Sequence, residues 1–430
     1  MANFELAYGR GFVSLEVPDR NLAAVLEPRA MPTVELRQAF RAAWDSPHGM
    51  IDPASTLRRG ASLVFVVTDH TRRTPTRDVF PLVWERLVDV VEPQDVTLLV
   101  GTGTHRASTD EELERMLGDV RRQFRVVQHD CDGDVVEVGR SRRGTPILVN
   151  RLVAEADHVV TLGHVGMHYY AGYSGGRKNI LPGVAARATI EANHAQLSDP
   201  QSRACVYQGN PVSDEMVEAA QMVRMAFLVD VVLDASGAVA KVVVGEPEAA
   251  HAEARRFWDA HAKVRLEGRA DVVIASAGGH PKDIDLYQAH KAEYMAACAT
   301  RDGGIVALAA SCPDGIGNKV FRDWIERSER PEDVERLLAS EGFKLGGHKA
   351  VYLARDARRI DVCLRSELDP RTVRRFFVHP VEDLAEVLKM ARRRFGEDYR
   401  AVVMPHAGDV FPVCSEAAAC GSGHGEGEVG

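Results

Sequence analysis

Residues 158–183 read HVVTLGHVGMHYYAGYSGGRKNILPG, an apolar, β-branched run that ends in glycines, aromatics and paired cations. A short apolar run bounded by Gly reads as a strand buried on both faces, with the Gly-rich stretch leaving its carboxyl end. The same grammar recurs at Ser62–Thr68 (SLVFVVT), Val96–Val100, Phe124–Gln128, Val272–Ser276 and Ile305–Ala310. Several of these runs alternate with helix-like segments, which predicts parallel sheets covered by helices. Helical periodicity is clearest in Thr109–Arg122, with Ser108 placed to cap it and Glu111 or Glu112 to complement its dipole. It is also clear in Glu382–Phe395, and Ala188–His194 looks helical.

A chain of 430 residues is too long for one ordinary core. Phe227–Val244 predicts a hairpin turning at Asp234-Ala-Ser-Gly, and the charged helical stretch Glu246–Val264 follows it. We therefore expect an α/β fold of two α/β domains with mainly parallel sheets and the active site in the cleft between them. The boundaries are an N-terminal cofactor-binding domain at 1–266, a C-terminal domain at 267–417, and a disordered Gly-rich tail at 418–430 that carries His424.

Apolar content of 45% and charged content of 27% describe a globular protein, and a net charge of −9 offers no basic field for nucleic acid or an anionic membrane. A small-molecule partner is expected. The first twenty residues lack the apolar stretch of a signal peptide, and no run of about 18 apolar residues occurs. The expected location is the cytoplasm, off the membrane. Seven cysteines, widely spaced and without a C-x-x-C pair, read as reduced thiols.

Chemistry-bearing residues cluster where the predicted strands end, the usual place for ligands in open α/β sheets. Asp69-His70-Thr71-Arg72-Arg73-Thr74-Pro75 follows SLVFVVT. Arg72 can fork two donors onto a carboxylate, and Asp69 can orient it or hold a nucleotide hydroxyl, although a polar loop with a solvated ion pair has the same composition. Gly101-Thr-Gly-Thr-His105-Arg106 follows VTLLV. Its glycines allow close backbone approach, but the longer dinucleotide fingerprint is absent, and His105 taken alone is as readily a loop residue as an acid or base. Lys178, in the opening stretch, sits where burial would lower its pKa and make a nucleophilic amine, against the plainer reading of a turn with a solvated lysine. His194, sixteen residues further on, offers an imidazole suited to nickel or an ordinary surface residue. In the second domain, Gly278–Glu293 follows VVIAS and places Gln288 and Lys291 on one helix face.

Taken together, from about residue 60 to 295, these stretches resemble the lactate racemase family. The resemblance rests on Asp69-x-x-Arg72, Gly-Thr-Gly-Thr-His105-Arg, His168 ten residues before Lys178 in Gly-Tyr-Ser-Gly-Gly-x-Lys, His194, and Tyr287-Gln288-x-x-Lys291. It implies a nickel-pincer nucleotide, a pyridinium-3-thioamide-5-thiocarboxylic acid mononucleotide, tethered to Lys178, with His194 as the protein ligand to nickel. Asp69, His70, Thr71 and Arg72 would lie against that cofactor. Arg72, Tyr287, Gln288 and Lys291 would bind the substrate, and His105 and His168 would be the acid–base pair.

The chemistry implied is reversible hydride transfer from C2 of a 2-hydroxy carboxylate, lactate or a larger acid. The hydrogen at C2 is weakly acidic beside an ionised carboxylate, whereas loss of hydride gives a planar 2-keto acid that can be reduced on either face. The implied partners are that substrate and the proteins that make and install the cofactor. Two other readings are a zinc-dependent hydrolase or lyase using His105, His164, His168 and His194, and a nickel- or nucleotide-binding protein without turnover. The sequence leaves open the oligomeric state, the identity of the acid, and the roles of His70, His164 and His290.

Overall fold

The computed structural model describes residues 1–415; the tail from 418 onward, with His424, lies outside the described residues. The chain folds as two units, Ala30–His261 and a second made from Met1–Arg29 with the chain from Ala262 onward.

In the first unit a six-stranded sheet runs in the order Val239–Gly245, Met225–Leu233, His158–Val165, Leu63–Thr68, Val96–Gly101, Arg125–Gln128. All neighbours are parallel except the first pair, the expected hairpin. Sequence order thus reverses between Leu63–Thr68 and His158–Val165, which makes their carboxyl ends the switch point where such sheets bind ligands. The inner strands are rich in β-branched residues and buried on both faces. Phe65, Val67, Leu98, Val100, Val160, Leu162 and Val229 pack into one cluster with Phe80 and Phe124, each side chain contributing about 1.5–3 kcal/mol by leaving water.

The predicted helix over 109–122 is instead Asp110–Leu117, capped by Thr109 in a reciprocal bond with Glu112, and then a short turn at Val120–Gln123. Gly118, with φ near +53°, ends the first piece. Ser108 is therefore not the cap; its hydroxyl pairs with His70 Nδ1 at 3.0 Å.

In the second unit the parallel sheet runs His379–Pro380, Asp361–Arg365, Thr300–Ala309, Ala270–Ser276, Ala401–Met404, Leu22–Val25. Its last strand comes from the N-terminus, and Leu6, Leu15 and Val17 of the preceding hairpin join the same core. This differs from the expected N-terminal block of 1–266, because residues 1–29 pack with the second unit and the division falls at Ala262. Alternation in those short strands reports burial but not which sheet receives them. Among the described residues no helix is long and apolar enough to cross a membrane.

Candidate active site

Thr68 and Gly101 are paired in register, so the loops that begin at Asp69 and Thr102 leave the sheet side by side. Asp69 is 2% exposed, and its Oδ2 lies 2.6 Å from His105 Nδ1. Its Oδ1 accepts both the Thr71 hydroxyl, at 2.6 Å, and the Thr71 backbone N–H, at 3.2 Å. Burial pushes the Asp69 carboxyl upward, but the hydrogen bonds from His105 and Thr71, with the nearby Arg72 cation, hold it below the ordinary carboxylate range. An ionised carboxylate only accepts, so His105 Nδ1 carries a proton, and in the neutral imidazole Nε2 then presents its lone pair. The first and second stretches are therefore one carboxylate–imidazole dyad.

The Lys178 stretch folds back on itself. Met167–His168 pairs with Gly172–Tyr173, and Ser174 closes the loop onto both the N–H and the C=O of Gly166. Gly175 has φ near +76°, and a Cβ there would stand 2.8 Å from Asp230 Oδ2, so the turn admits only glycine. Lys178 follows on the short helical turn Gly176–Asn179, and the loop beyond it docks on the second stretch through Gly103 N–H to Gly183 O, at 2.9 Å.

Lys178 is 8% exposed, and its Nζ lies 3.1 Å from His168 Nε2. Burial, then the Arg72 and Arg177 cations, hold the amine well below the ordinary lysine range. The backbone supplies a second constraint: Ala171 N–H donates to His168 Nδ1 at 3.3 Å. A neutral imidazole accepting at Nδ1 carries its proton at Nε2, so the bond to Lys178 runs from His168 to a neutral amine.

His194 is buried on the helix Arg187–Ala195, with Nδ1 3.1 Å from Asn193 Oδ1. The Asn193 amide nitrogen donates to Val212 O and Glu215 Oε2, which fixes the oxygen as the group facing His194. The Nδ1–H therefore donates, and Nε2 is left with its lone pair, the form that ligates metals. The Tyr170 ring lies between the two histidines, with centroids 4.6 Å from His168 and 5.1 Å from His194, and Lys178 Nζ is 5.8 Å from it.

Arg72 is exposed, and its cation acts on Lys178 and on His164. His70 faces Ser108 and Glu112, and His164 faces the Thr74 hydroxyl at 2.9 Å. Burial and the Arg72 and Arg73 charges pull His164 down to about 4, so it stays neutral near pH 7. Among the described residues, His105, His164, His168 and His194 do not gather as one metal-holding group; the grouping that does is Asp130, Cys131 and Asp132, two of whose members are exposed. That geometry weakens the zinc reading.

In the second unit, Asp285 caps the helix Leu286–Ala299 through the Gln288 N–H, which places Tyr287 and Gln288 in its first turn and Lys291 one turn later. His290 points the other way, 1% exposed in the core near Phe321. Lys349 donates to Tyr287 O and stands 4.0 Å over its ring, and burial and the Lys291 charge pull it down to about 7.

Arg177, Asn193 and Glu215 were not singled out from sequence. Arg177 stands at the x of Gly-Gly-x-Lys, and it is buried and donates to Ala171 O, Tyr173 O and the Ser213 hydroxyl, tying the His168 loop to the lysine turn. Its cation beside an aromatic-rich, Gly-rich loop was the available signal. Nothing in a linear reading pointed to Glu215.

The lactate racemase N-terminal domain model matches residues 8–205, and the lactate racemase C-terminal domain model matches residues 266–411. The lactate racemase of Thermoanaerobacterium thermosaccharolyticum is 31% identical over 417 residues, covering 94% of this chain and 98% of that protein. The lactate racemase of Lactiplantibacillus plantarum is 29% identical with the same coverage. The solved lactate racemase apoprotein of T. thermosaccharolyticum superposes with a TM-score of 0.87 at 30% identity, covering 96% of this chain and all of that one. A Thermotoga maritima structure at 17% identity and a TM-score of 0.61, covering 90% of this chain and all of that one, shares the fold. With two domain models in tandem and near-complete alignment to these racemases, the chain belongs to the lactate racemase family and is an isomerase.

Proposed function

We propose that this protein is a racemase or epimerase of a 2-hydroxy acid, lactate or a larger relative, that works with a nickel-pincer nucleotide tethered to Lys178. The observation that carries the reading is the buried Lys178 amine, 3.1 Å from the His168 imidazole and under the charge of Arg72. The donor set fits such a group: an unprotonated amine suits a thioamide link, and an Asn193-oriented imidazole with its lone pair at Nε2 suits nickel. Lys178 would hold the nucleotide, His194 the metal, and Asp69, His70, Thr71 and Arg72 would flank it. When bound, that cofactor supplies the hydride acceptor and donor for C2.

The chain's own residues do the rest. Arg72 clamps the substrate carboxylate; Tyr287, Gln288 and Lys291 join as substrate contacts on the strength of the family resemblance. His105, with Nδ1 committed to Asp69, accepts the hydroxyl proton at Nε2, and Asp69 stabilises the imidazolium that forms. His168 is the acid: as the imidazolium, with the bond from Ala171 N–H given up, it returns a proton from Nε2 to the carbonyl oxygen as C2 is reduced on its other face, and is left a neutral imidazole. The reverse reaction exchanges the two roles. A cytoplasmic location accords with six free thiols among the described residues, and the proteins that build and load the cofactor are the expected partners.

The test is to present single enantiomers of several 2-hydroxy acids carrying deuterium at C2 to protein made with the cofactor pathway, in ordinary water. Inversion with the deuterium retained supports hydride transfer. Inversion with washout of the label indicates proton abstraction and contradicts it.

A further inference from the structure

We propose that His168 acts once before any substrate binds: its Nε2–H, aimed at Lys178 Nζ, holds that lysine as the neutral amine that attachment of the cofactor requires. The proposal rests on the reading of Lys178 as the tether. Forming a thioamide from a thiocarboxylic acid makes the C–N bond, spends the amine lone pair and releases water, so an ammonium cannot enter the reaction.

The backbone enforces this. Ala171 N–H points at His168 Nδ1, and the residues between them form the tight turn that pairs His168 with Gly172. With Nδ1 occupied as an acceptor, Nε2 keeps its hydrogen, and a protonated Lys178 would set N–H against N–H across 3.1 Å. The two cations that act on the amine oppose protonation as well. Arg72 faces it from the loop after Leu63–Thr68, and Arg177 adjoins it on its own turn. From the hairpin the Tyr170 ring, whose face attracts a cation, stands 5.8 Å away, at the outer limit of such a contact. Below the turn, the buried Asp230 spends one oxygen on Gly176 N–H, and burial raises its pKa to about 7, while His251 pairs with Arg177. His168 is thus a positioning residue for Lys178, apart from its part in turnover.

The experiment uses the full-length chain made without the cofactor pathway. Lys178 is labelled by trace acetic anhydride across pH 5–11, and its peptide is quantified by mass spectrometry. In H168A the labelling midpoint should move up by about one pH unit, slowing modification near neutrality about tenfold while leaving the alkaline plateau in place. A merely structural role would lower the plateau without moving the midpoint, and an unmoved midpoint overturns the proposal. Nitrogen NMR of the histidine-labelled wild type needs no variant: a neutral Nε2–H tautomer at His168 supports the proposal, and an Nδ1–H tautomer or an imidazolium refutes it. If H168A leaves the midpoint unchanged while co-expressed wild type still carries the adduct, this inference alone fails. A shifted midpoint with no adduct on co-expressed wild type sustains the neutral amine and removes the tether reading.

Discussion

Replacing Asp69 by Asn should disable His105 by reversing its tautomer. Two donors, the Thr71 N–H and O–H, converge on Asp69 Oδ1 at 3.2 and 2.6 Å. In the amide these hold the carbonyl oxygen where Oδ1 was, so the NH2 must take the place of Oδ2, 2.6 Å from His105 Nδ1. An amide N–H there makes Nδ1 the acceptor and moves the imidazole proton to Nε2, the atom proposed to receive the substrate proton. The variant also loses the carboxylate that stabilises the imidazolium. Loss of a correctly oriented general base costs about 10²- to 10⁴-fold in rate, or about 3–5 kcal/mol of transition-state stabilisation. The assay is chiral chromatography of both enantiomers in both directions, with rates divided by the fraction of Lys178 carrying cofactor, so that a loading defect is not mistaken for a catalytic one. Because each turnover uses both histidines, the two directions should fall together. A D69N enzyme with unchanged kcat per loaded site would refute the dyad.

His194→Ala should keep the adduct on Lys178 but lose bound nickel, as peptide mass spectrometry and metal analysis on one sample would show; full nickel retention would reassign the ligand. Arg177→Ala leaves Ala171 O and the Ser213 hydroxyl without their buried donor, and we expect about 2–5 kcal/mol of lost stability in urea unfolding; a change below about 0.5 kcal/mol would show that the tie is dispensable. His164, pulled down to about 4 in the fold, binds fewer protons than the unfolded chain between that pH and about 6.5. Its contribution is thus complete above that window and lost as pH falls through it, so stability should drop by about 1–3 kcal/mol, and H164Q should flatten that part of the profile measured by denaturant titration. Arg72→Ala should raise KM for the 2-hydroxy acid more than it lowers kcat, and unchanged values of both would remove the clamp.

The strands that build the site were legible because each is a β-branched run stopped by Gly or a polar residue, and Leu63–Thr68, Val96–Gly101 and His158–Val165 lie within a few residues of their expected limits. The candidate residues at Asp69–Arg72 and His105 could be placed at strand ends for the same reason. What sequence does not encode locally was missed. The Thr109 cap and the Ser108 contact to His70 compete over adjacent residues of similar chemistry, and only the tertiary position of His70 decides between them. Residues 1–29 belong to the second unit through pairings more than 370 residues apart in sequence, such as Val402 with Ala24. The supports of His194 and Lys178, namely Glu215 acting through Asn193, Ala171 N–H, and Arg177, are backbone and buried contacts with no motif of their own. They nonetheless set the tautomers on which the chemistry depends.

Intact-protein and peptide mass spectrometry with nickel analysis, on protein made beside the cofactor pathway, bears directly on the covalent tether at Lys178. A sulfur-containing nucleotide adduct on Lys178 is expected, with about one nickel per loaded chain. Active protein with an unmodified Lys178 would contradict it.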